Sequence, residues 1–251
     1  MLQIRQVPIL EDNYAYLLHQ PDAEILAVVD PGDAAPVLAA APAPITHILL
    51  THHHADHIAG AAAIAMRTGA QVIAAAADAR RIPGISHPVA DGDMIDLGGS
   101  SAEVLAVPGH TRGHIAFWFP GEAALFCGDA LFTLGCGRLF EGSPAEMWES
   151  LKRLRELPPE TRIYCGHEYT LDNAPFALDH DPGNGELAAR IAEARDLREQ
   201  RLPTVPSTLG QEIATNPFLR ADLPALAEAV GLSGHPAPEV FAELRRRRDR
   251  Y

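Results

Sequence analysis

The chain has 251 residues and a formal net charge of −13, and 47% of its residues are hydrophobic. This length allows one large domain, or a domain with a smaller appendage, around a substantial core. The acidic balance disfavours a nucleic-acid-binding protein, because phosphate contacts need a basic surface. The cysteines Cys127, Cys136 and Cys165 include no C-x-x-C pair, which argues against a disulfide framework. We expect Cys165 to be a buried core thiol, because free cysteine is usually buried.

The first residues, Met1 to Val7, alternate in the manner of a β-strand. The sequence has no charged leader followed by an apolar segment, and no apolar stretch of about 18 residues, so neither secretion nor membrane insertion is indicated. We therefore expect a cytoplasmic protein with no membrane partner.

The first 165 residues or so alternate strand-like and helix-like segments. Helices are predicted over 58–68, ended by Gly69, and over 144–157, ended by two prolines. After His167 the pattern predicts helices and loops without strands, with helices over 186–202, about 222–231 and 237–248. These changes predict two domains, 1–169 and 170–251.

Four segments share one arrangement, a short apolar run followed by a turn that carries histidine or aspartate. In a layered sheet protein, loops that leave the same edge of the strands converge on one crevice. These turns supply the candidate metal ligands His52, His54, Asp56, His57, His110, Asp129 and His167.

This ligand set is too large for one tetrahedral ion and suits two ions that share a bridging carboxylate and a water. Imidazole suits zinc and iron, so we expect two divalent ions, with zinc foremost and iron or manganese as alternatives. Alternation along an extended segment turns His53 away from His52 and His54. His114 is expected to support a ligand. The remaining histidines are expected to be surface or structural residues: His19, His47, His87, His180 and His235.

The patterns T-H-x-H-x-D-H, P-G-H-T, C-G-D and C-G-H-E-Y resemble those of the metallo-β-lactamase superfamily. Within it, the chain is similar to the glyoxalase II enzymes, the hydroxyacylglutathione hydrolases. Further landmarks of this resemblance are V-D-P-G at 29–32, G-C-G-R-L-F-E-G at 135–142, T-V-P-S-T at 204–208, N-P-F-L-R at 216–220 and a basic end at 245–249. They occur in order and cover nearly the whole chain.

The resemblance implies an α/β fold, a four-layer αββα metallo-β-lactamase sandwich followed by a C-terminal α-helical domain. It implies that His52, His54 and His110 bind the first ion. It further implies that Asp56, His57 and His167 bind the second ion, and that Asp129 bridges the two. The nucleophile would be a hydroxide that bridges the ions, so no side-chain nucleophile is expected.

The resemblance also implies a substrate, the thioester S-D-lactoylglutathione or a related S-2-hydroxyacylglutathione. Hydrolysis would give D-lactate and glutathione, the second step of methylglyoxal detoxification, in a monomeric enzyme. The implied substrate-binding residues are Arg138, Phe140, Tyr169, Arg245 and Arg248. Arg245 and Arg248 are three residues apart, hence on one face of the last helix. Phe140 stands where some members have tyrosine, so that hydroxyl contact is absent here.

Four alternatives are less well supported. A persulfide dioxygenase has a single iron with fewer ligands and lacks a helical tail with a basic end. A β-lactamase lacks the bridging carboxylate that Asp129 offers. An RNA-processing nuclease of the same fold conflicts with the overall acidity. A purely structural metal site would be closed and use four ligands.

Overall fold

The computed structural model describes residues 2–251, which form two compact units. The first unit contains the chain up to Val107 together with Arg112–Gly128, and the second contains Pro108–Thr111 together with Asp129–Tyr251. Met1, with which the predicted first strand begins, lies outside the described residues. Within residues 2–251, no helix combines the length and the apolar character that crossing a membrane requires.

The first unit alternates strands and helices. Its elements are β1 (Gln3–Ile9), β2 (Asn13–Gln20), β3 (Ile25–Val29), α1 (Ala34–Ala40), β4 (His47–Leu50), α2 (Ala55–Ile58), α3 (Ala61–Thr68), β5 (Gln71–Ala75), β6 (His87–Val89), β7 (Met94–Asp96), β8 (Ser101–Ala106), β9 (Ile115–Phe119) and β10 (Ala124–Gly128).

One sheet of this unit has the strand order β1-β2-β3-β4-β5-β6. Strands β1 to β3 are antiparallel, and β3 to β6 are parallel, with Val28 opposite Ile48 and Ile48 opposite Val72. These residues are buried and pack in one core cluster with Val37 of α1 and Ile64 of α3. Because β3 and β4 are parallel neighbours, the residues that follow them emerge at the same sheet edge. The first group of candidate ligands begins at this edge.

A second set of strands in the first unit is antiparallel and follows the order β10-β9-β8-β7. Phe117 of β9 lies opposite Phe126 of β10 on one side and Val104 of β8 on the other. All three side chains are fully buried. Strand β10 ends at Gly128, directly before Asp129, and β8 ends shortly before His110.

The second unit is mainly helical. Its elements are β11 (Leu131–Phe132), β12 (Gly135–Cys136), α4 (Pro144–Arg155), β13 (Arg162–Cys165), α5 (Thr170–His180), α6 (Gly185–Glu199), β14 (Ser207–Thr208), α7 (Leu209–Thr215), α8 (Pro224–Ala229) and α9 (Ala237–Arg248). Helix α4 begins with a capping box, in which Ser143 Oγ accepts from the Glu146 amide at 3.2 Å and the Glu146 carboxylate accepts from the Ser143 amide at 2.7 Å.

Two expectations about the elements need correction. The helix predicted over 58–68 is divided at Gly60 into α2 and α3, because the Gly60 amide donates to the carbonyl oxygen of Pro31 at 2.9 Å instead of to a carbonyl of α2. The expectation of no strand after His167 was wrong, since β14 pairs with β13 through Ser207 opposite Ile163. A two-residue strand defined by its partner carries no periodicity of its own.

Candidate active site

Asp30 organises the loop that carries the first group of candidate ligands. Its side chain is 3% exposed, and its carboxylate accepts from the Thr51 amide at 2.8 Å and the Thr51 hydroxyl at 2.6 Å. The same carboxylate lies 3.0 Å from Nδ1 of His57. In the sequence, Asp30 belongs to the V-D-P-G landmark at 29–32 and is not among the candidate ligands. Like those ligands, it follows an apolar strand that ends in a turn.

The candidate ligands of the first unit lie close together at the end of β4. The ring centroid of His52 is 4.7 Å from that of His54 and 4.2 Å from that of His57. Asp56 Oδ2 lies 3.5 Å from His57 Nε2 and accepts from the side-chain amide of Asn13 at 3.0 Å. Four groups of ligand type therefore share one small volume of this unit.

The adjacent His53 has different partners. Its Nδ1 lies 3.3 Å from Oδ2 of the fully buried Asp78, and its Nε2 lies 3.3 Å from a guanidinium nitrogen of Arg81. Both ring nitrogens are therefore engaged outside the ligand group. His114, which we expected to support a ligand, stacks on His52 with ring centroids 4.7 Å apart and an angle of 15° between the planes.

In the second unit, Asp129 lies between two imidazoles. Its Oδ2 is 3.4 Å from Nε2 of His110 and 3.4 Å from Nε2 of His167. All three side chains are buried, with 3% to 6% of their surface exposed. One carboxylate oxygen therefore faces two imidazole nitrogens.

Hydrogen bonds indicate which ring nitrogens can bind a metal. Nδ1 of His110 lies 2.8 Å from the carbonyl oxygen of Arg138, which can only accept, so Nδ1 carries the proton. In a neutral ring, Nε2 then keeps the lone pair that a metal ligand needs. The same reasoning applies to His57, whose Nδ1 faces the Asp30 carboxylate. We assign these tautomers from the hydrogen-bond network.

The donor set fits divalent cations. Imidazole nitrogens with oriented lone pairs suit zinc or iron. The Asp129 carboxylate, which faces two of these imidazoles, adds negative charge. Burial of Asp129 beside neutral imidazoles would be costly without a compensating charge nearby. The side chains present therefore fit divalent metal ions.

A group of guanidinium side chains lies elsewhere in the second unit. Arg245 is 5% exposed, and one of its terminal nitrogens donates to the carbonyl of Cys136 at 2.8 Å. Arg138 and Arg245 approach the same carboxylate oxygen of Asp249, at 4.0 Å and 2.8 Å.

Arg248 completes this group. Burial first, and then the positive charges of Arg245 and Arg138, lower the pKa of the Arg248 guanidinium. A terminal nitrogen of Arg248 lies 3.2 Å from Oδ1 of Asn173, but among residues 2–251 its Nε has no hydrogen-bond partner. Three cations with one carboxylate and an unpaired N–H suit an anionic ligand.

The two aromatic candidates lie against candidate ligands of the same unit. The Tyr169 ring stacks on His167 with centroids 4.6 Å apart and 7° between the planes. Phe140 is 63% exposed and meets His110 edge to face at 5.3 Å. Phe140 thus offers an open apolar face beside a candidate ligand.

The cysteine thiols lie in the interior of the protein. All three are buried, so the predicted burial of Cys165 is confirmed. Burial raises the pKa of Cys165 to about 12 and that of Cys136 to about 11. Neither thiol is a thiolate near neutral pH, which disfavours both nucleophilic and metal-binding roles.

Comparison with known proteins adds independent information. Family models described as "Metallo-beta-lactamase superfamily" and "Hydroxyacylglutathione hydrolase C-terminus" match residues 11–167 and 168–251. A hydroxyacylglutathione hydrolase of Methylococcus capsulatus is 54% identical over 252 residues, which cover 99% of this chain and 98% of the relative. The crystal structure of ETHE1 from Myxococcus xanthus is similar with a TM-score of 0.67 and 26% identity, covering 98% of each chain. The crystal structure of TTHA1623 in a di-iron-bound form is similar with a TM-score of 0.59 and 29% identity, covering 86% of this chain and 99% of that one.

Proposed function

This chain belongs to the hydroxyacylglutathione hydrolases of the metallo-β-lactamase superfamily, and we propose that S-D-lactoylglutathione and related S-2-hydroxyacylglutathiones are its substrates. It is a hydrolase with the metallo-β-lactamase fold. Water would cleave the bond between the acyl carbon and sulfur, giving D-lactate and glutathione.

The observation that carries this proposal is the position of Asp129. A single carboxylate oxygen 3.4 Å from each of two imidazole nitrogens is the arrangement expected of a ligand shared by two ions. The di-iron form of the related TTHA1623 supports the same count. Divalent-metal binding is the chemistry of this family, and we propose two ions here, with zinc foremost and iron or manganese as alternatives.

We assign the ligands by the family pattern. His52, His54 and His110 would hold one ion, Asp56, His57 and His167 would hold the other, and Asp129 would bridge them. When bound, such ions lower the pKa of a coordinated water and polarise an acyl oxygen. Asp30 and the Arg138 carbonyl orient His57 and His110, so that each ring presents an unprotonated nitrogen.

The guanidinium group would hold the substrate. Glutathione is anionic at its glycine carboxylate, and Arg138, Arg245 and Arg248 supply charge-assisted donors. Tyr169 stacks on His167, and Phe140 packs against His110. Both rings would contact the substrate between its acyl group and its glutathione part. A thiolate is a good leaving group, so no side-chain acid is required for its departure.

The domain assignment stays a proposal. Residues 1–169 would bind the metal ions and residues 170–251 would carry most of the glutathione contacts. The monomeric state and the cytoplasmic location also stay predictions from the sequence.

A substrate panel tests the proposed function. Purified protein should hydrolyse S-D-lactoylglutathione and leave glutathione persulfide and a β-lactam unchanged, as followed by thiol release, oxygen uptake and β-lactam absorbance. Turnover of the persulfide or the β-lactam in preference to the thioester would contradict the proposal. Elemental analysis of chelator-free protein should give about two divalent ions per chain. Full activity with a single ion that cannot be supplemented would contradict the two-ion assignment.

A further inference from the structure

Residues 131–136 of the second unit, formed by β11 and β12, are called here the site hairpin. The site hairpin begins two residues after Asp129 and leads into Gly137 and Arg138. A Cβ at Gly137 would collide with the Asp129 carbonyl oxygen and the ring of His110. The chain at the exit of the site hairpin is therefore packed tightly against two candidate ligands.

The site hairpin also contacts the remaining ligand of this unit. The ring of Phe132 meets His167 edge to face at 5.8 Å and Tyr169 at 5.3 Å. The carbonyl of Arg138, just after the hairpin, accepts from Nδ1 of His110 at 2.8 Å. All three candidate ligands of the second unit therefore touch the site hairpin or the two residues that follow it.

The site hairpin is too short to hold this shape by its own pairing. Only Leu131 with Cys136 and Phe132 with Gly135 are paired. Leu134, at its tip, has φ of 58°, a left-handed conformation that a leucine adopts only when its surroundings impose it. Its fully buried side chain packs among residues of α5 and α6: Ala174, Ala177, Leu187 and Ile191.

Glu212, within α7, and Asn216, the residue that follows α7, supply the missing hydrogen bonds. Glu212 Oε2 accepts from the Leu134 amide at 2.8 Å and from the side-chain amide of Asn216 at 3.1 Å. The same Asn216 nitrogen lies 3.0 Å from the carbonyl oxygen of Phe132 and 2.9 Å from that of Gly135. Both Glu212 and Asn216 are completely buried. The shape of the site hairpin is therefore set from the helical part of the chain.

We propose that Glu212 and Asn216 are positioning residues for the metal site, acting through the site hairpin on Asp129, His110 and His167. This inference rests on the ligand assignment of the proposed function. Neither residue would touch metal or substrate. Partners that orient metal ligands typically change metal affinity by about 10–100-fold when removed. The helical region would then serve the chemistry as well as glutathione binding.

The decisive measurement is the zinc affinity of the metal-free protein, determined by competition with a chromophoric chelator. Glu212→Leu keeps the site apolar and filled but removes the acceptor, and we expect zinc affinity to fall about tenfold or more. Glu212→Gln should bind zinc as the wild type does, because its amide oxygen can accept from both donors. With zinc supplied, Glu212→Leu should lower kcat more than it changes KM.

Asn216→Ser provides a second variant if Glu212→Leu does not fold. Serine can still cap the turn at Phe218, as Asn216 does at 3.0 Å, but is too short to reach the site hairpin. It should weaken zinc binding in the same direction as Glu212→Leu.

Leu226→Ala, in the core of α8, is the matched control. It should lower the melting temperature of the metal-free protein by creating a cavity and leave zinc affinity unchanged. If Glu212→Leu or Asn216→Ser lowers only the melting temperature, as Leu226→Ala does, these residues merely hold the fold and the inference is overturned. A wild-type protein that binds no zinc would overturn the ligand assignment itself, and this inference with it.

Discussion

Replacing Arg245 by Ala should destabilise the fold in addition to weakening substrate binding, whereas replacing Arg248 should mainly weaken substrate binding. Arg245 is 5% exposed and donates to the Cys136 carbonyl at 2.8 Å, a charged hydrogen bond worth about 1.5–3 kcal/mol. Its guanidinium carbon also lies 5.1 Å from the centre of the Phe218 ring, a contact worth about 0.5–2 kcal/mol. The ion pair with the half-exposed Asp249 adds only about 0.3–0.5 kcal/mol.

These contributions predict a loss of about 2–5 kcal/mol for Arg245→Ala. For a chain of this size, that corresponds to a fall in melting temperature of about 5–15 °C. Arg248 has longer hydrogen bonds, at 3.2 Å and 3.3 Å, and is partly exposed, so Arg248→Ala should cost much less stability.

The expected effect on KM is clearest for Arg248→Ala, because this variant should cost little stability. Arg248→Ala should raise KM for S-D-lactoylglutathione about ten- to a hundredfold, with solvent exposure favouring the low end. Binding energy that is the same in the ground and transition states should leave kcat little changed. A thioester that lacks the glycine carboxylate should be turned over equally by wild type and variant.

Arg246→Ala is the matched control on the same helix, because Arg246 is exposed and pairs with the neighbouring Glu243. It should change neither melting temperature nor KM appreciably. If Arg245→Ala and Arg248→Ala behaved like Arg246→Ala in thermal melts and in the thioester assay, α9 would be a solvated helix without a role in binding.

Two further predictions concern the ligand loop and a buried carboxyl. Replacing His54 or Asp129 by Ala should remove metal and nearly all activity. His53→Ala should be comparatively mild, because the two His53 ring nitrogens face Asp78 and Arg81. Metal analysis and rate measurements test this, and a His53→Ala variant as damaged as His54→Ala would contradict the interpretation. Burial raises the pKa of Glu212 above its ordinary value of 4.5, so above that pH the unfolded chain releases a proton that the folded protein keeps. Stability should then fall as pH rises toward the folded-state pKa, by at most about 1.4 kcal/mol per pH unit, relative to Glu212→Gln. Melting curves of metal-free protein at a series of pH values test this, and a constant difference between the two proteins would show that Glu212 is already ionised in the fold.

The local pattern of the chain determined the features that depend on near neighbours. An apolar run followed by a turn located His52, His110, Asp129 and His167 at strand ends without any partner being known. The helix predicted over 144–157 likewise begins at Pro144, where Ser143 and Glu146 form a capping box between residues three apart. The fold class and the hydrolase family followed from such motifs and their order, as the comparisons bear out.

Only the tertiary structure decided which side chains support these groups. Asp30 reaches Thr51 and His57 across the sheet edge, and Asp78 reaches His53 from a distant turn. Glu212 lies 78 residues along the chain from Leu134, whose amide donates a hydrogen bond to the Glu212 carboxylate. Such partners produce no periodic pattern in the sequence. The donors that satisfy a buried carboxylate come from distant parts of the chain and not from its sequence neighbours. The sequence could therefore predict the candidate metal ligands. The residues that hold those ligands in position are distant in the chain, and only folding brings them into contact.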